Sequence, residues 1–432
     1  MAYTPCPPAV RRRAFNFLDS IQRRIVPGCF RRKWAASETV TISFTASSEY
    51  STHGTIQGIF CMKNTGVFIA ILFICSLAVS WYIWSIQPVY KRNETSPGIL
   101  GDFEAISSEG PSPLAITPTP FPEVSLDRIF AKDHSWIQQL PQEDVVTILA
   151  TGDVIPARSV NYKMTVRNDY RWPYEKTRSV LSAADITVVN LETPLLASCK
   201  PTTEGMIFCG SAHAAEGLEE AGVDIATLAN NHIGNYGKEG IDETKSLLQK
   251  SNIIPVSDSG AIKTVKGIRF AFLAYNDIGA SESGLPWADY ERIRKDIRDA
   301  SHEADVILVS FHWGIEYRTE PTKRQLDLAH FAVDNGADVI LGNHPHWIEP
   351  VELYNGKFIM YAHGNFVFDQ EWSPETKLGV LGKYIFYKKK LVDVEYIPIR
   401  IVDYGQPYLL EGKEAETVLR NLENASRNIS NF

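Results

Sequence analysis

The sequence predicts an α/β domain with two β-layers over residues 144–403, and three observations carry that expectation. From about Val145, strand-like runs of Val, Ile, Leu and Ala alternate with helix-like amphipathic stretches. Five of those apolar runs end on Asp, Glu, Asn or His. Towards the carboxyl end the pattern turns β-rich, with short turns between the runs.

Taken in order, VVTILATGD ends at Asp153, ADITVVNLE at Asn190 and Glu192, and VDIATLANNH at Asn230, Asn231 and His232. ADVILVSFHWG then carries His312, and ADVILGNHPH closes on His344 and His346. Residues 238–250 and 322–335 read as helices between runs. Residues 268–275, 358–362, 383–388 and 391–397 read as strands, with turns at 356–358 and 387–391. Residues 404–432 read as a tail whose stretch 412–427 is a final helix. In α/β sheets a ligand site lies just outside the carboxyl ends of the strands. Five polar strand ends therefore imply one convergent site.

The amino-terminal part differs in kind. Residues 1–92 hold 11 Lys/Arg against 3 acids, which leaves residues 93–432 with 32 basic and 48 acidic residues. A net charge of −16 over that larger part argues against nucleic acid as a partner, because phosphate backbones select basic patches. The run Val67–Trp84 is uncharged and 18 residues long, and Trp81, Tyr82 and Trp84 suit a membrane interface. We read residues 64–87 as one transmembrane anchor. The basic excess before it places the amino terminus in the cytoplasm and the rest outside.

Met62-Lys63-Asn64 has the features of a translation start, so residues 1–63 are expected to be a disordered cytoplasmic tail or to begin in earnest at Met62. Residues 88–143 read as a linker, since 93–123 contain six prolines among Ser, Thr and Gly and cannot form a packed core. Cys199 and Cys209 are the only cysteines after the apolar run, and outside the cytoplasm they suit a disulfide, with free thiols the alternative.

Asp153, Glu192, Asn231, His312, His344 and His346 make a mixed oxygen and nitrogen donor set without cysteine. That set suits Mn²⁺, Zn²⁺, Fe or Mg²⁺, as one ion or two, rather than a thiolate-rich structural zinc. Pro345 stiffens the loop between the two last imidazoles. His232 follows a ligand candidate and suits proton transfer or the orientation of Asn231. Arg158 offers a guanidinium fork to an anionic substrate or to a structural salt bridge. Glu316 suits either a partner of His312 or an acid beside the substrate. Asn365 reads as a hydrogen-bond anchor, and Trp313 and Trp347 as pocket walls or core.

GDVIPAR (152–158), NLETPL (190–195), ANNHIGNYG (229–237), FHWGIEY (311–317), GADVILGNHPHWIEP (336–350) and YAHGNFVFDQ (361–370) together resemble the poly-gamma-glutamate capsule-synthesis CapA family. That family is related to the calcineurin-like metallophosphoesterases, and the resemblance covers about residues 145–370. It implies a four-layer α/β/β/α sandwich with a dinuclear-type site. It also implies an anionic surface polymer such as poly-gamma-glutamate as partner, handled in synthesis, export, anchoring or trimming beside other capsule-synthesis membrane subunits. Asp153 falls at the aspartate of the first motif, Glu192 at the bridging acid and Asn231-His232 at the Asn-His pair. His312 matches the lone histidine, and His344 with His346 the closing pair. The phosphoesterase pattern has a histidine two residues after the first aspartate; Ile155 stands there instead. Asn235 stands where many CapA-like sequences carry an acid.

Overall fold

The computed structural model describes residues 123–279 and 285–429, and the backbone of two short strands, Val40–Phe44 and Ile56–Phe60, which pair antiparallel. Among the described residues no helix is long and apolar enough to cross a membrane. The apolar run Val67–Trp84 lies outside them.

Along the chain, β1 (Val145–Val154) leads to α1 (Arg158–Arg167), β2 (Ile186–Leu191), α2 (Ala214–Ala221), β3 (Ile225–Thr227), α3 (Gly237–Lys250) and β4 (Ile254–Val256). Next come β5 (Ala261–Val265), β6 (Ile268–Asn276), α4 (Tyr290–Glu303), β7 (Val306–His312), α5 (Lys323–Asp334) and β8 (Val339–Asn343). The remainder is β9 (Ile348–Tyr354), β10 (Lys357–His363), β11 (Asn365–Val367), β12 (Leu378–Tyr387), β13 (Lys390–Val402), β14 (Gln406–Leu409) and α6 (Gly412–Arg427).

Two mixed sheets result. One runs β14-β13-β12-β1-β2-β3-β4, with β11 beside the end of β1, and the other β9-β10-β8-β7-β6-β5. Strands β1 to β4 are mutually parallel, as are β6, β7, β8 and β10. Their apolar runs are nearly continuous because both faces are buried. On β6, Phe270, Phe272 and Ala274 face the other sheet, while Ala271, Leu273 and Tyr275 pack with Ile293 and Ile297 of α4. On β1, Val146, Ile148 and Ala150 face the inter-sheet core, and Leu149 joins Leu218 of α2 and Leu248 of α3. Helices therefore cover the outer face of each sheet. The helices start where their caps dictate: Asp289 accepts the Glu291 and Arg292 N–H groups, and Thr322 forms a capping box with Gln325.

The folded unit is larger than composition suggests. Leu126–Ile129 is a short helix whose Ile129 enters the inter-sheet core, although residues 88–143 read as linker. His134 Nδ1 and Trp136 Nε1 both bond Asp393 Oδ2, at 2.8 and 3.0 Å, and fasten this segment to β13. Helix α6, read as a tail, inserts Val418 and Leu422 into the same core. Its Ser426 Oγ accepts the Val351 N–H at 2.9 Å, which satisfies an edge-strand donor on β9.

Candidate metal centre

The parallel strands of both sheets bring their carboxyl ends to one place, and the polar residues of the sequence runs meet there. Gly152 makes the meeting sterically possible. A Cβ at Gly152 would lie 2.2 Å from the Gly364 carbonyl oxygen, so only hydrogen lets the chain after β10 run against β1. The Asp153 N–H then donates to Gly364 O at 2.9 Å. After β8 the loop holds His344 at φ 99° and His346 at φ 58°, conformations that non-glycine residues adopt at a cost. That backbone turns both imidazoles inward around Pro345.

Two groups of donors share Glu192. Its carboxylate lies with His312 and His344, and again with Asp153 and His346, with the donor atoms of each group within 4.8 Å of one another. All five side chains are buried. His312 Nε2 lies 2.7 Å from Asn231 Oδ1 and 3.3 Å from Glu192 Oε1, so three donors converge on one point. The His312 and His344 ring centroids are 4.8 Å apart. All six sequence-predicted ligands therefore fall within one cluster.

The charges in this cluster are incompletely matched. Both oxygens of Glu192 and Nδ1 of His344 are buried without a hydrogen-bond partner. A buried carboxylate in that condition carries a large desolvation cost. Burial, and then the Asp153 charge, push the Glu192 carboxyl well above its ordinary range. Burial lowers His312 to about 3 and takes His344 well below the usual imidazole value. Asp153 and His346 instead satisfy each other through a 3.0 Å contact, which overrides burial to keep the carboxyl low and the imidazole high. Orphaned oxygen and nitrogen atoms facing one another fit a divalent cation.

Other predicted residues take clear positions. His232 packs under Phe208, ring centroids 4.1 Å apart, and its Nδ1 lies 3.2 Å from Asn235 Oδ1. Burial lowers it to about 4. Glu316 is half-buried, acts electrostatically on Glu192, His232, His312 and His346, and forms no hydrogen bond to His312. The Arg158 fork is filled: Nε and Nη2 both donate to Asp369 Oδ1, and the guanidinium lies 4.9 Å from the ring centres of Phe208 and of Phe368. Its side chain serves as a structural salt bridge at the rim rather than as a free anion receptor. Trp313 is fully buried in the outer core, donating to Tyr361 O at 2.8 Å, and does not wall the site. Trp347 lies at the rim near Tyr317, ring centroids 6.3 Å apart. Asn365 is an anchor, giving its amide to Thr376 O at 2.9 Å. Ile155 is buried with Ala157, Phe208 and Phe368, an apolar wall where a further imidazole is missing.

Two of the polar strand-end residues, Asn190 and Asn230, orient the ligand candidates instead of joining the donor groups. Asn190 Nδ2 donates to Asp153 Oδ1 at 2.7 Å and lies 3.2 Å from His312 Nδ1. Asn230 Nδ2 bonds Asn190 Oδ1 at 3.1 Å, so two asparagines orient the ligand candidates. Phe208 has no sequence signal of its own, because it stands in the short apolar run Met206-Ile207-Phe208-Cys209, of which only Phe208 and Cys209 turn inward. Cys199 and Cys209 form the expected disulfide beside it.

The family described as bacterial capsule synthesis protein PGA_cap matches residues 147–370. The chain belongs to that family. The PGA biosynthesis protein CapA of Bacillus subtilis (strain 168) is 30% identical over 299 residues, covering 65% of this chain and 78% of that protein. The capsule biosynthesis protein CapA of Bacillus anthracis is 28% identical over 304 residues, covering 65% and 74%. Among solved structures, a phosphatase of Mycoplasma pneumoniae aligns with a TM-score of 0.42 at 15% identity, over 61% of this chain and 95% of that one.

Proposed function

We propose that this chain is a metal-dependent, hydrolase-type member of the CapA family, acting outside the cytoplasm on a capsule polymer such as poly-gamma-glutamate during synthesis, export or trimming. The observation that carries the reading is the buried Glu192, unpartnered at both oxygens amid His312, His344 and His346. Glu192, His312, His344 and Asn231 would hold one divalent ion, and Asp153, Glu192 and His346 a second. An ion held there would supply the chemistry of hydroxide formation near neutral pH and of polarising an amide or phosphoester. His232 stands beside the ligands as the residue that holds or moves a proton, through its Nε2. Asn190 and Asn230 hold Asp153 and His312 in register.

Relatives named for capsule and PGA biosynthesis support the polymer, and the disulfide Cys199–Cys209 supports an oxidising compartment. The run Val67–Trp84 is the proposed single anchor, with the proline-rich stretch after it as spacer and other capsule-synthesis membrane subunits as neighbours. A second reading, a polymer-binding assembly subunit without turnover, is favoured by Ile155 in its apolar wall. The test uses the full chain purified in detergent, with metal analysis and assays on polyglutamate and a generic phosphodiester. Bound divalent metal with polyglutamate cleavage supports the proposal. Neither metal nor turnover supports the binding role. Phosphodiester cleavage alone, lost in Glu192→Gln and His346→Ala, moves the substrate to another envelope component.

A further inference from the structure

The stretch between Cys199 and Cys209 is exposed from residue 201 to 207, with Met206 at 64% and Ile207 at 70%, and then dives inward at Phe208, which is 1% exposed. That one buried residue meets His232 in two ways. Its ring stacks on the imidazole with centroids 4.1 Å apart and planes inclined by 26°. Its backbone N–H donates to Asn235 Oδ1 at 2.7 Å, the same oxygen that lies 3.2 Å from His232 Nδ1. An oxygen already accepting the Phe208 N–H identifies that end of the amide as the carbonyl. His232 must then bring its proton to Nδ1, which leaves Nε2 with its lone pair.

The Phe208 ring is itself clamped. Phe368 meets it edge-on at 5.8 Å, the Arg158 guanidinium lies 4.9 Å from its centre, and Arg158 Nη1 reaches Gly205 O at 3.3 Å. The next residue is Cys209, tied to Cys199, and Gly210 pairs with Leu195 of the chain that carries Glu192. An 11-residue loop would otherwise let Phe208 leave the pocket; the crosslink removes most of that freedom.

We propose that Phe208 and the Cys199–Cys209 crosslink are positioning elements for His232: the closed loop fixes the imidazole in one orientation and one tautomer, with Nε2 directed for proton transfer. The inference rests on the role given to His232 above. It also accounts for why Phe208 turns inward while its apolar neighbours Met206 and Ile207 stay exposed.

The test reads His232 directly, so that it is independent of turnover. Long-range proton–nitrogen correlation spectra of the full chain should show His232 as a single Nδ1–H tautomer. Phe208→Ala and the pair Cys199→Ser with Cys209→Ser should each convert it to a mixture of tautomers, and Phe208→Tyr, which keeps the ring and the burial, should restore the single form. Metal content should stay unchanged in all of them, since no ligand candidate is altered. If a hydrolytic activity is found, kcat should fall about tenfold in Phe208→Ala with little change in KM. Phe208→Leu guards against a folding artefact: it keeps a buried apolar side chain without a π face and should still give a mixture. An unchanged His232 signal in folded Phe208→Ala and Phe208→Leu would overturn the proposal. A mixed signal in a protein without any turnover would leave it standing while removing the hydrolase reading.

Discussion

His344 follows β8 and His363 ends β10, a neighbouring parallel strand of the same sheet, and both imidazoles are buried. His363 is complete: Nδ1–H donates to Gly342 O at 3.1 Å, and Nε2 lies 3.0 Å from the Tyr384 hydroxyl. His344 has a buried Nδ1 without a partner and faces His312 and the unpartnered Glu192. Both lose basicity through burial, His363 to about 4 and His344 well below the ordinary imidazole value. A strand-end position and burial therefore do not mark a functional histidine. What sets His344 apart is an unsatisfied nitrogen within a cluster of donors that also holds both unpaired oxygens of Glu192, an arrangement that a cation would complete.

The contrast yields tests of decreasing size. Glu192→Gln should have the largest effect, because it removes the carboxylate shared by both donor groups. Its divalent-metal affinity, measured by calorimetry, should fall at least about a hundredfold. The thermal midpoint rise on adding Mn²⁺ should vanish with it. A wild-type affinity in this variant would sink the metal assignment.

The two histidines should then part company. His344→Ala should weaken metal binding about tenfold to a hundredfold while the metal-free unfolding free energy stays within about 1 kcal/mol. His363→Ala should leave metal stoichiometry intact and cost about 3 kcal/mol, by opening a cavity and stranding the Tyr384 hydroxyl and the Gly342 carbonyl. Equal behaviour of the two variants in both assays would erase the distinction.

Glu349 offers the acidic counterpart. Its Oε2 accepts from Gln325 Nε2 at 2.6 Å, Oε1 is unpartnered, and burial raises the carboxyl from 4.5 to about 8. The folded chain keeps a proton there that the unfolded chain releases above 4.5. This group therefore favours folding most at low pH, and the contribution declines as pH rises towards about 8. Glu349→Gln should flatten that slope and raise stability near neutral pH by about 2 kcal/mol in urea unfolding.

The smallest effect belongs to His134, raised above 6.5 chiefly by its bond to Asp393 against the opposing cost of burial. Its stabilisation is present below 6.5 and is lost as pH rises through the folded value. His134→Ala should cost about 1 kcal/mol near pH 5.5 and less near pH 8.5. A constant cost across that range would show that packing, not charge, holds the segment.

Much of the centre was legible because strand ends in a parallel sheet project into one region whatever lies between them. Asp153, Glu192, Asn231, His312, His344 and His346 could be gathered from that rule joined to the donor chemistry of the side chains. Arg158 misled in part, because its partner Asp369 is over 200 residues away and nothing local announces it. Trp313 misled for a related reason: its neighbour His312 points to the site, but alternation along a strand sends the next side chain to the opposite face.

By itself, the sequence determined the alternation of strands and helices within residues 144–403, the family and the polar residues that end the strands, since these depend on local periodicity and on residue chemistry at fixed spacing. Only the tertiary structure decided which polar atoms are left without partners, that Asn190 and Asn230 orient the cluster, and that Phe208 lies on His232. It also brought residues 123–143 and α6 into the domain. Those facts depend on contacts between residues far apart in the chain, and long-range packing leaves no periodic trace in the order of amino acids.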